Sequence, residues 1–167
     1  YSPLYQWLYF DVFELATDPA TMGETFEGTG GRYNFSQVIF GHQATERIRN
    51  QRIFLVGAVP FGSELLKSFA QSGAGTGPEG SIVVTDLDTI EVSNLNRQFL
   101  FRPKDVGKAK SVTAVAAAIA LNPDLAEKAY AIETPVGPDT EGTLDDAFWG
   151  NLTVVVNALD NIEARRY

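Results

Sequence analysis

RIFLVGAVPFGSELLKSFAQSG, residues 52–73, holds the pattern that decides the fold. Ile53-Phe54-Leu55-Val56 is a short apolar run, the kind a strand needs when both faces of a parallel sheet are covered. Gly57 ends the run. A helix is expected next, because Leu65, Leu66, Phe69 and Ala70 share one face and Gly73 stands where a C-cap belongs. Ser81-Ile82-Val83-Val84-Thr85 then repeats the buried-strand pattern. Strand, glycine turn, helix, strand is the opening unit of an α/β fold with a mainly parallel, Rossmann-like sheet and flanking helices.

Downstream, a loop from Asp88 to Lys104 runs for 17 residues, beyond the length at which loops without regular structure are usually functional. Asp105 is the predicted N-cap of an Ala-rich helix reaching about Leu121, which Asn122-Pro123 closes. A third strand is predicted within Lys128–Thr134, a short helix over Leu144–Trp149, and a last buried strand over Leu152–Leu159 with Asp160 at its carboxyl end. Upstream, Gln43–Gln51 favours a short charged helix, and Thr17–Gly31 has the Gly, Thr, Glu and Pro content of a mobile loop. Tyr1, Tyr5, Trp7, Tyr9, Phe10 and Phe13 make residues 1–15 too aromatic for a free tail and suit a packed strand or connector. The chain therefore divides into residues 1–50, an N-terminal segment, and residues 51–167, the sheet-forming part.

The 167 residues, 44% apolar and 20% charged, fit one globular domain with a core of ordinary size. A formal charge of -8, from 13 Lys+Arg against 21 Asp+Glu, argues against nucleic acid or an anionic membrane as partner. Contacts with phosphate must be local. The absence of cysteine removes disulfides, thiolate metal sites and thiol nucleophiles together. No apolar stretch is long enough for a membrane span, and the N-terminus lacks the basic flank and cleavage site of a signal peptide. His42, the single histidine, has no Ser or Asp arrangement near it and reads as a surface residue.

Ligands of parallel α/β sheets bind beyond the strands' carboxyl ends, where Gly57, Asp86 and Asp160 all fall. Gly57-Ala58-Val59-Pro60-Phe61-Gly62 resembles a phosphate-binding G-x-G-x-x-G turn without its middle glycine. Val59 puts a branched side chain at the point of closest approach and Pro60 removes an N–H donor, so a plain strand-to-helix turn remains the alternative. Asp86, 29 residues after Gly57, stands where such units place an acid on ribose hydroxyls; with Asp88 it could equally form Asx turns. Lys108 and Lys110 lie near a predicted helix start, where cations are disfavoured, so a negative group such as a bound phosphate is expected there, with a solvated lysine pair as the alternative. Arg97 is the second candidate cation.

SIVVTDLDTIEVSNLNRQFLFRPKDVGKAKS, residues 81–111, closely resembles the ubiquitin-activating enzymes, as do RIFLVGA (52–58), GSELLKSFA (62–70), LNPDL (121–125), VGPDTE (136–141) and NALDN (157–161). TGPEG (76–80) and VGPDTE favour the ubiquitin branch over relatives that activate other ubiquitin-like or sulfur-carrier proteins. The resemblance implies the active adenylation domain, with a ThiF/MoeB-like fold, which uses Mg-ATP to adenylate the C-terminal carboxylate of ubiquitin. By motif, Asp86 would hold the ribose, Asn94, Arg97 and Gln98 the phosphates, Lys110 the α-phosphate and Asp160 the magnesium; Gly57 and Gly62 belong to the nucleotide loop. Arg97 and Lys110 would be the catalytic cations. The implied partners are ubiquitin, ubiquitin-conjugating enzymes and the inactive adenylation half of the same enzyme, and the implied location is cytoplasm and nucleus.

The family's G-A-G-x-x-G is G-A-V-P-F-G here, which predicts weakened nucleotide binding. The chain ends at Tyr167, where a helix after the Asp160 strand is expected, so a truncated domain, a fragment or an incomplete gene product inactive by itself, is anticipated. By resemblance the thioester-forming cysteine and the ubiquitin-fold domain lie beyond that end. Two competing classes are a pseudo-adenylation scaffold that keeps the fold without binding ATP, and a nicotinamide-dependent dehydrogenase. The NLNRQ loop and Lys110 argue against the latter.

Overall fold

A computed structural model of the chain describes Gly23 and residues 25–159. The aromatic segment 1–15 and Asp160 lie outside the described residues, and of the loop predicted over 17–31 residues 25–31 are seen without helix or strand. Nine regular elements follow among the described residues: α1 (Asn34–Phe40), α2 (His42–Arg49), β1 (Arg52–Val56), α3 (Pro60–Ser72), β2 (Ser81–Thr85), α4 (Lys110–Leu121), β3 (Ala129–Ile132), α5 (Asp146–Asn151) and β4 (Val154–Asn157). The four strands form one sheet in the order β3-β2-β1-β4, every neighbouring pair parallel.

The apolar runs of β1 and β2 are explained by cover on both faces of these two central strands. Ile53, Leu55, Ile82 and Val84 pack with Leu66 and Ala70 of α3 and Ala114 and Ala118 of α4. Phe54, Val56 and Val83 point the other way, onto Leu144, Phe148 and Trp149. There the Phe54 and Phe148 rings meet edge to face at 5.1 Å, the geometry aromatic quadrupoles prefer. Gly73 caps α3 in the left-handed region at φ 80°, as its position after Ser72 predicts.

Three expectations are corrected. Among the described residues β4 is an edge strand, not a buried one: it pairs only with β1, and Val155 is 51% exposed. Asp105 does not cap α4, whose N-cap is Ala109 with no side-chain bond. Its carboxylate is occupied by the Arg102 N–H at 3.0 Å and Lys108 Nζ at 2.8 Å, which closes a 3-10 turn at Pro103–Asp105 instead. His42 is half-buried at the start of α2, its Nε2 donating to the Glu27 carbonyl and its backbone N–H to the Thr25 carbonyl at 2.9 Å.

Asn122, fully buried, shows why α4 stops where it does. Its Nδ2 donates to the Ala70 carbonyl at 2.8 Å and to Tyr33 Oη at 2.9 Å, while Oδ1 accepts the Asp124 N–H at 3.2 Å. One amide thus joins the ends of two helices and the segment before α1. Asn122→Ala leaves the Ala70 carbonyl without that donor in a dry site, and should cost about 1–3 kcal/mol of unfolding free energy. Urea denaturation of the two proteins measures it, and a difference within error would show the amide to be incidental.

Candidate active site

At the carboxyl ends of β1 and β2 the chain turns sharply, and glycine is needed twice. Gly57 adopts φ +100°, donates to the Thr85 carbonyl at 2.8 Å and lies against Ala158. A Cβ at Gly62 would lie 2.0 Å from the Gly57 carbonyl oxygen, so no larger residue fits the first turn of α3. Pro60 occupies the first helical position, where its missing N–H leaves no gap in the helix ladder.

Asp86 ties this turn to the long loop. Its Oδ2 accepts the Ala58 N–H at 2.6 Å, its Oδ1 accepts the Asp88 N–H at 2.8 Å, and its carbonyl accepts Ser111 Oγ at 3.2 Å. The Asx turn left open by the sequence is therefore present, together with a bond across to the glycine turn. Asp88 continues the chain of contacts: its carbonyl accepts the Lys110 N–H at 2.9 Å and its Oδ2 pairs with Lys110 Nζ at 2.8 Å. Lys110 is only 5% exposed. The negative charge expected beside the lysines is thus supplied by aspartates, Asp88 for Lys110 and Asp105 for Lys108.

The long loop folds back as 3-10 turns at Val92–Asn94 and Pro103–Asp105, stitched to the start of α4 by a bridge between Thr89 and Ala109. Asn94 is buried and accepts the Glu91 N–H on Oδ1 at 2.9 Å. Arg97 is exposed, its guanidinium donating to the Ser93 carbonyl at 2.6 Å and Asn96 Oδ1 at 3.1 Å and to no carboxylate among the described residues. Gln98 is 2% exposed and its Oε1 has no partner. A half-turn of that amide presents N–H donors from the same place.

Two adjoining cavities open along this edge. One of about 320 Å³ is lined by Gly57, Val59, Thr85, Asp86, Leu87 and Val136 among others. The second, of about 470 Å³, is lined by Val59, Pro60, Asp88, Thr89, Glu91, Asn94, Arg97, Gln98 and Lys110. Val59 borders both. The N-termini of α3 and α4 reach the second cavity through Pro60 and Lys110, neither with a side-chain cap, so the positive ends of two helix dipoles face it. A larger cavity of about 640 Å³ shares Val56 and Val136 with the first, extends among Glu141, Leu144, Asp145, Asp146 and Trp149, and offers no cation.

Of the residues singled out from sequence, Gly57 and Asp86 line the first cavity and Asn94, Arg97, Gln98 and Lys110 the second. Gly62 lies beneath the turn and lines neither, and Lys108 is held away by Asp105. Sequence reasoning missed the pairing of Asp88 with Lys110 and the convergence of two uncapped helices. The lack of any Ser, Thr, Asp or Asn at position 59 or 109 was a readable signal for the second.

The ThiF family profile matches residues 33–167. Over its whole length the chain is 50% identical to ubiquitin-activating enzyme E1 1 of Candida albicans and 49% identical to ubiquitin-like modifier-activating enzyme 1 of Homo sapiens. It spans 17% and 16% of those proteins, about a sixth of their length. Among solved structures, the tRNA N6-threonylcarbamoyladenosine dehydratase TcdA of E. coli superposes with a TM-score of 0.69 at 23% identity, over 80% of this chain and 52% of that one. The same dehydratase in complex with ATP gives 0.67 at 24% identity, over 78% and 50%. These structures share the fold.

The loop's closure has a pH signature. A hydrogen bond from Lys108 holds the Asp105 carboxyl below its usual 3.8; burial opposes this, and the Arg102 N–H adds to the lowering. A carboxyl whose folded value is depressed stabilises the fold above the unfolded value and loses that contribution as pH falls through the folded one. The melting-temperature gap between the parent and Asp105→Asn should therefore be full at pH 6–7 and shrink below about pH 4. A gap that stays constant down to pH 2.5 would show that the carboxylate's charge is not what closes the turn.

Proposed function

The chain belongs to the ThiF family, and from that premise we propose that it is the nucleotide-handling part of a ubiquitin-activating enzyme, which adenylates the C-terminal carboxylate of ubiquitin. The observation that carries this reading is the second cavity, where a buried ammonium, a buried amide whose oxygen has no partner, an exposed guanidinium and two helix N-termini without side-chain caps converge. Such a site suits several phosphate groups in a row. The adjoining cavity at Asp86 suits the nucleoside, and one of the TcdA structures is described as a complex with ATP.

In this reading Asp86 receives the ribose hydroxyls, Asn94, Arg97 and Gln98 the phosphates, and Lys110 the α-phosphate. A carboxylate nucleophile is already ionised at neutral pH, so no general base is needed and positioning with charge stabilisation dominates. As oxygen attacks phosphorus and pyrophosphate leaves, negative charge builds on groups facing Lys110 and Arg97. Magnesium, which needs only one or two carboxylates beside phosphate oxygens and water, belongs to the proposal through Asp160; it would supply further charge stabilisation. Among the described residues no group of three or more His, Asp or Glu is placed to hold a metal, and magnesium does not require one. Ubiquitin, conjugating enzymes and the other adenylation half are the proposed partners of the longer protein.

Ubiquitin-dependent exchange of pyrophosphate into ATP, measured in the full-length enzyme, tests the reading. Arg97→Ala and Lys110→Ala should each slow exchange by at least about a hundredfold, the usual scale for losing a transition-state charge contact. Lys108→Ala should stay near the parent, since Asp105 holds it outside the cavity. Exchange that needs no ubiquitin, or Lys108→Ala as the worse lysine variant, would reject the assignment.

A scaffold that has lost nucleotide binding is the reading Val59 and Pro60 favour, since Val59 projects a branched side chain at the border of both cavities. Calorimetry of the chain carrying Val59→Gly with Pro60→Ala decides it. If the loop carries phosphate, the double variant should bind ATP tighter by about one to three kcal/mol, the scale of recovered hydrogen bonds to a charged group. Equal, tight binding by both would free the loop of that role, and no binding by either would favour the scaffold.

A further inference from the structure

Lys110 is the most enclosed cation of the cleft, yet its ammonium is not free to meet a ligand: Asp88 Oδ2 sits on it at 2.8 Å. The two partners are unlike. The Lys110 side chain is 7% exposed and that of Asp88 67%, so the lysine is fixed while the carboxylate has water to turn into once another anion takes its place on the ammonium. Position and charge of Lys110 are also held by different atoms. Its backbone N–H stays on the Asp88 carbonyl at 2.9 Å, and the Asp88 N–H stays on Asp86 Oδ1 at 2.8 Å, whatever the Asp88 carboxylate does. Both residues line the cavity that also holds Arg97 and Gln98.

We propose that the Asp88 carboxylate is a resting latch on Lys110: it stands in for a phosphate oxygen in the empty cleft and must be displaced when a polyphosphate binds. The inference rests on the nucleotide reading of the same site and adds a regulatory contact to it. A buried ammonium needs a counter-charge when the cleft is empty, and Asp88 provides one. Once phosphate oxygens reach Lys110, a carboxylate left beside them is a like charge at close range, so both cannot keep the ammonium. The apparent affinity for polyphosphate is then reduced by the fraction of chains whose lysine is latched. Single-charged anions, which gain less from Lys110, Arg97 and the helix ends together, displace the latch least.

The signature is a split between stability and affinity. Asp88→Asn keeps both backbone bonds but removes the charge, so the chain should melt at a lower temperature while binding ATP, with EDTA present, about tenfold tighter by calorimetry. Asp88→Glu, which keeps the charge, should return both toward the parent values. In a chain already carrying Lys110→Ala, Asp88→Asn should bring no comparable gain, because there is no ammonium to release. Binding by Asp88→Asn that is unchanged or weaker overturns the latch, as does a gain that persists without Lys110, which would mark simple repulsion of the nucleotide by Asp88. Failure to detect ATP binding by either the parent or Asp88→Asn also overturns it. The nucleotide reading is judged separately by ubiquitin-dependent exchange in the full-length enzyme: a parent that exchanges, with Asp88→Asn no tighter for ATP, loses only the latch.

Discussion

Asp86 is the constraint on which the cleft depends. One oxygen of its carboxylate holds the Ala58 N–H of the glycine turn and the other holds the Asp88 N–H of the long loop. These segments enter from different strands, and beside the Gly57 N–H to Thr85 carbonyl bond this shared acceptor ties them together. Through Asp88 the same connection reaches Lys110 and the first turn of α4. A carboxylate has about four lone-pair sites, so two N–H bonds leave Asp86 able to accept hydroxyls from the adjoining cavity as well. Organising the turn and receiving a ligand are therefore compatible tasks for this residue.

The chain is acidic overall, while the second cavity of its cleft sets Lys110 and Arg97 against Asp88 and Glu91. A formal charge of -8 is distributed over a surface where salt screens charges beyond roughly 8 Å, so remote carboxylates have little influence inside a cavity. What matters there is local: Lys110 in a dry wall, Arg97 at the rim and two helix N-termini pointing inward. The net charge argues against binding a polyanion over an extended surface, and the local arrangement favours a small one held at a single place. Both statements hold because they refer to different distances.

The four strands and the three longer helices were legible because their causes are local. Ile53–Val56 and Ser81–Thr85 are apolar without interruption since both of their faces are covered, and Gly73 marks a helix end by conformation alone. The edge position of β4 was not legible: Val154, Val155 and Val156 read as a buried run, and strand order depends on crossovers that no window of sequence contains. Asp105 misled for a related reason. An aspartate a few residues before a helix is an N-cap only if its carboxylate is free, and Arg102 and Lys108 had already claimed it. The cleft residues were found in part by their place at strand ends, whereas Asn94 and Gln98 came from resemblance, since a buried amide in a loop has no sequence period to announce it.

The glycine turn shows how one motif can carry two separable signals. Gly57 needs a positive φ and Gly62 must have no Cβ because the Gly57 carbonyl oxygen occupies its place. Both requirements come from fitting α3 tightly onto β1 and would exist in a chain that never met a nucleotide. Their presence therefore says that the turn is close, and nothing about what it binds. Position 59 is different. It borders both cavities, its backbone is extended rather than left-handed, and the fold does not need glycine there. A glycine at that position would serve only the approach of something outside the chain, so the Val59 side chain, half-buried against the core cluster, is where packing and ligand access compete.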